Sequence, residues 1–118
     1  MDDPCDPDRT EEFEYLLTKS EDTLYFLLGT DGLSFAVAPN EKEWTGIGRK
    51  KLEKFIPDIR TALCIGWRAC EKINKHEDNV QLASALSDVL TTVLTGVPIT
   101  IISALFVKIG IKKFCHCP

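Results

Sequence analysis

The side chains of this chain best suited to chemistry are its five cysteines and two histidines. Cys115, His116 and Cys117 stand in a row near the C-terminus, with Cys64, Cys70 and His76 upstream. Thiolate and imidazole are zinc's preferred ligands, so Cys115, His116 and Cys117 are candidate metal ligands that the other three could complete. Their spacing argues against it, because fingers and ribbons pair cysteines across two to four residues. On a continuous helix Cys64 and Cys70 would also fall on different faces, and Cys70 shares an apolar stripe as a small core residue. No metal and no cofactor is therefore expected. The thiols of Cys115 and Cys117 are expected to be exposed and reactive, a redox or lipid-attachment site at most.

An odd cysteine count excludes a complete set of internal disulfides. The opening MDDPCDPDRTEE places acids and prolines where a secretory signal needs basic residues and then an apolar run. Together these features predict free thiols and a cytoplasmic location.

A second candidate is the basic run Arg49, Lys50, Lys51 and Lys54, with Arg60 and Arg68 further along. It could meet an acidic protein, a phosphate or a membrane surface. Glu53 and Asp58 interrupt it, and the net charge of −4 does not favour nucleic acid. Trp44 lies in the polar stretch PNEKEWTGIG and is expected to anchor that loop on the body, with exposure for binding as the alternative. Arg49, Lys50, Lys51, Lys54 and Trp44 form the candidate interaction surface. Local signatures for Ser/His/Asp catalysis, paired carboxylates or a phosphate loop are missing, and Gly46-Ile47-Gly48 is too short for a nucleotide fingerprint.

Residues 89–107, VLTTVLTGVPITIISALFV, carry no charge. That run is near the roughly 20 residues needed to cross hydrocarbon. Gly96-Val97-Pro98 breaks it, however, and Ser84, Ser87, Asp88, Thr91, Thr92 and Thr95 place a polar face opposite Leu82, Leu86, Val89, Leu90, Val93 and Leu94. An amphipathic helix, a tight turn and a buried helix explain both features.

Upstream, residues 12–37 alternate with period two. Phe13, Tyr15 and Leu17, then Leu24, Phe26 and Leu28, then Leu33, Phe35 and Val37 read as strands, separated by KSED and GTDG turns. Phe13, Leu16 and Leu17 also fit a short helix over residues 11–17. Residues 49–74 are helical in pattern, with a short helix to about Phe55 and a longer one from Pro57, on which Ile59, Leu63 and Trp67 share a stripe.

The expected fold is therefore α+β: a two- or three-stranded antiparallel meander, then three or four helices, with the apolar C-terminal helix as the core. Residues 1–10 read as an acidic arm, 11–114 as one domain and 115–118 as a tail. The expected function is a small non-enzymatic accessory or adaptor module, binding another protein or its own copies. The alternative is a membrane-associated protein that inserts its C-terminal hairpin.

Overall fold

A computed structural model describes residues 7–30, 41–73 and 78–117. These residues form α1 (Pro7–Leu17), α2 (Glu21–Thr30), α3 (Glu41–Arg60), a π-helical segment (Thr61–Gly66), α4 (Ala69–Lys72), α5 (Asn79–Thr91), α6 (Ile99–Ile109) and α7 (Ile111–Phe114). No strand occurs among the described residues, so the α+β expectation is corrected to all-helical. Leu33, Phe35, Val37 and the second half of the GTDG turn lie outside the described residues.

The error at the N-terminus has a local cause. In α1, Phe13 and Leu16 are buried one turn apart, while Tyr15 of the proposed alternating set is 59% exposed. Leu24 and Leu28 of α2 fit a period of two and a period of four equally well. The KSED tetrad decides between them. Ser20 Oγ accepts from the Thr23 backbone N–H at 3.2 Å, and Glu21 and Asp22 fill the first turn. That is an N-cap followed by acids that complement the helix dipole, and it starts a helix where a strand turn was expected.

The expected loop over residues 39–48 is corrected as well, since helix α3 begins at Glu41. Its two glycines cost helix propensity, but one is needed for packing. A Cβ on Gly48 would overlap the Tyr25 carbonyl, and one on Gly29 would overlap the Trp44 carbonyl. α2 and α3 thus cross backbone to backbone. α3 also runs through Pro57 unbroken, with no new helix starting there.

α5 and α6 form a helical hairpin. Asp78 caps α5 by accepting from Gln81 N–H at 2.8 Å, Gly96 turns the chain at φ +72°, and Pro98 precedes α6 in an extended conformation. Every residue from Ile102 to Phe106 is buried. α1, α2 and α5 pack around α6, and Thr100 Oγ1 donates to Glu12 Oε1 of α1 at 2.9 Å. The two faces assigned to α5 hold for most positions: Asp88, Thr91, Thr92 and Thr95 are exposed and Leu82, Leu86, Leu90 and Leu94 are buried. The exceptions are Ser87, which is buried, and Val93, which is 45% exposed because the helix ends at Thr91 and Val93 falls in the turn beyond it.

Candidate functional site

The distinctive chemistry lies where the end of α3 meets the C-terminus. After Arg60 the chain widens into the π-helical segment, passes Trp67, and reverses at Arg68 with φ 59° and ψ 57° before α4. π-helical turns often mark functional positions. The left-handed conformation costs a non-glycine residue roughly 1–2 kcal/mol. This break invalidates the continuous helix on which Cys64 and Cys70 were assigned to different faces.

Across the break lies α7 with its following turn. Cys64 is bonded to Cys115 and Cys70 to Cys117, with Cα–Cα distances of 5.4 and 5.3 Å. Both lie inside the range a disulfide requires. The expectation of free, reactive tail thiols and of a core thiol at Cys70 is therefore corrected. Cys5 and His76 lie outside the described residues. The candidate metal ligands Cys115 and Cys117 are committed to sulfur–sulfur bonds. Among the described residues no group of three His, Cys, Asp or Glu side chains is arranged to hold a metal ion.

Backbone hydrogen bonds continue past α7 as far as Cys117. Cys115 N–H donates to Ile111 O and Cys117 N–H to Lys112 O, both at 2.9 Å. The Arg60 guanidinium lies 4.5 Å from the Phe114 ring centre and donates to the Phe114 carbonyl at 3.3 Å. Phe114 meets Phe106 of the core edge-on at 4.7 Å. Among the described residues the non-glycine positions with positive φ are Arg68 and His116. Arg68 lies between Cys64 and Cys70, and His116 between Cys115 and Cys117. Each strained residue is thus bracketed by half-cystines.

Beside this junction an open cleft of about 500 Å³ runs between the π-helical segment and the end of α5. Ala62, Gly66 and Trp67 form one wall, and Asp88, Val89, Thr92 and Val93 the other. Ile65, next to Gly66, is 71% exposed. Tyr15, the other strongly exposed large apolar residue described, has Lys19 Nζ 4.6 Å above its ring. The cleft and its neighbour Ile65 were missed because the sequence pattern placed Val93 in the core and gave no sign of the break at Trp67.

The basic run is largely occupied with packing. Arg49 stacks on Tyr25 at 4.3 Å and pairs with Asp22 at 2.6 Å, and Lys51 Nζ donates to the Leu28 carbonyl at 3.1 Å. Burial pushes the Tyr25 phenol up from its ordinary value, with nearby Glu21, Asp22 and Glu53 adding to the shift and Arg49 opposing it. Lys50 and Lys54 are exposed and Trp44 is half-buried against α2. Arg49, Lys51 and Trp44 therefore belong to the α2–α3 contact, while Lys50 and Lys54 lie exposed on α3.

No known family matches the chain, and neither the curated proteins nor the solved structures contain a significant match to it.

Proposed function

We propose that this chain is a small non-enzymatic interaction module that self-associates through the cleft between the π-helical segment and α5. The observation that carries the reading is an apolar hollow with an exposed apolar side chain at its edge. Ala62, Gly66, Trp67 and Val89 line the hollow, while Val93 at its edge is 45% exposed. A twofold contact uses the same patch on both copies, so that patch must offer both a recess and something to fill it. Asp88 is the one ionisable side chain among the residues lining the cleft, which suits recognition better than acid–base chemistry.

The membrane alternative draws less support. No helix among the described residues is long and apolar enough to cross a membrane, and the most apolar one, α6, spends its faces on other helices. Two disulfides also fit an oxidising compartment better than the cytosol, so the cytoplasmic placement is not carried into this proposal.

Sedimentation equilibrium from micromolar to millimolar concentration tests the reading. Concentration-dependent association that Val93→Asp abolishes, and that Lys50→Glu on the α3 surface leaves intact, is the expected result. A chain that stays monomeric throughout overturns it.

A further inference from the structure

We infer that the Cys64–Cys115 and Cys70–Cys117 bonds form a reducible clasp that holds one wall of the cleft in shape, so that a dithiol reductant loosens the wall and weakens association there. The inference rests on the cleft being the interaction surface, and it adds the regulation of that surface. Gly66 and Trp67, two of the three residues of that wall, lie between Cys64 and Cys70 in sequence, and Ala62 lies just before them. The left-handed turn at Arg68, which directs the chain after Trp67, lies inside the same bracket. Among the described residues Arg68 pairs with Glu71, three positions on, at 3.7 Å, both side chains well exposed. Such a surface pair contributes little to holding a strained turn. The opposing His116 turn is bracketed in the same way.

None of the four half-cystine residues is buried. A thiolate of the reductant attacks one sulfur, and the partner cysteine leaves as a thiolate that takes up a proton. The second thiol of the reductant then displaces the remaining cysteine from the mixed disulfide. Each opened bond yields two cysteine thiols and one oxidised dithiol, a transfer of two electrons. With both bonds open, the junction keeps non-covalent contacts, among them Arg60–Phe114, Phe106–Phe114 and the core packing of Leu63, Ala69 and Ile111. Leu63 and Ala69 stay anchored in the core, but the backbone between them no longer has a covalent restraint on its left-handed turn, while the hairpin of α5 and α6 keeps its own core.

The test compares the intact air-oxidised chain with the same chain in dithiothreitol. Intact mass verifies the starting bonds and their opening, a gain of two hydrogens for each of the two disulfides. Amide hydrogen exchange and sedimentation are read on both forms. Exchange over residues 61–73 is expected to accelerate by about tenfold or more, with residues 79–109 unchanged, and association is expected to weaken by a similar factor. Cys5 is left over in either case, but an air-oxidised chain with free thiols at Cys64, Cys70, Cys115 or Cys117 overturns the clasp. So does unchanged exchange after complete reduction, and so does uniform acceleration, which would make the bonds general staples. Local loosening with unaltered association overturns the link to the cleft. If the oxidised chain is monomeric at every concentration, the association reading fails separately and the exchange data decide the clasp.

Discussion

The α2–α3 crossing and the C-terminal clasp each hold two segments far apart in sequence, and they do so by opposite means. At the crossing, Gly29 and Gly48 remove side chains so that two backbones touch, and Arg49 lies over Tyr25 beside them. At the clasp, two disulfides join segments 51 and 47 residues apart, and Arg60 lies over Phe114 beside them. Both use the same arginine–aromatic pairing. The crossing adds only non-covalent packing between unstrained helices, whereas the clasp ties together two turns that contain left-handed non-glycine residues. Close packing holds a conformation that is already favourable, and a covalent bond can hold one that is not. The first region is therefore expected to respond to side-chain volume and the second to redox conditions.

The largest expected effect is on the clasp. Replacing Cys64 and Cys115 by serine, and then Cys70 and Cys117, releases a long loop, for which chain entropy gives roughly 4 kcal/mol. Loss of Cys70 and Cys117 from the variant lacking Cys64 and Cys115 should cost more than their loss from the wild type would, because the remaining bond is then the last to hold the long loop closed. Denaturant midpoints under non-reducing conditions check both statements. Replacement of both pairs that leaves the midpoint unchanged would remove the clasp from the stability of the fold.

Gly48→Val should follow, at roughly 3 kcal/mol, because the added branches meet the Tyr25 backbone with nowhere to move. Gly46→Ala, whose Cβ meets nothing within 4 Å, should be neutral or stabilising. Thermal melts of the two variants compare a tight glycine with an open one on the same helix, and equal effects would contradict the close crossing.

The two arginines sharpen the contrast at about 1 kcal/mol or less each. Arg49→Ala should cost the same in oxidised and reduced protein. Arg60→Ala should cost little while the disulfides hold Phe114 in place, and more once they are reduced. A double-mutant cycle across redox state reads this directly. Equal Arg60 effects in the two states would show that the contact and the covalent bonds are independent.

The smallest effect is in alkali. The folded-state pKa of Tyr25 is raised above 10.0, so the folded chain holds this proton more firmly than the unfolded chain. Its contribution is therefore complete below the unfolded value near pH 10 and is lost as pH rises through the folded one. Tyr25→Phe should flatten that part of the alkaline stability profile. An identical slope in the variant would assign the alkaline loss to other groups.

Several parts of this fold were legible in the linear pattern. The apolar periodicity of Ile59 and Leu63, both fully buried, follows from helical spacing alone. The break between α5 and α6 follows from Gly96 and Pro98, whose backbone preferences act within a few residues. Other parts had a local signal that was read the wrong way. Ser20 followed by Glu21 and Asp22 is a capping sequence, and giving it that weight would have turned the second strand into α2.

What only the tertiary structure decided is the meeting of residues distant along the chain. Gly48 looks like loop composition until α2 is laid across it, because the benefit of a missing side chain lies in a neighbour 23 residues away, Tyr25. The partners of Cys64 and Cys70 depend on the reversal at Arg68, which neither propensity nor periodicity announces, since a left-handed arginine is locally unfavourable. The cleft follows from the same reversal. Short-range preferences set helices, caps and breaks because their energies act within a turn or two of chain. The disulfide pairing and the cleft are set by long-range contacts, whose combined energy is large enough to hold a turn the local sequence would not choose.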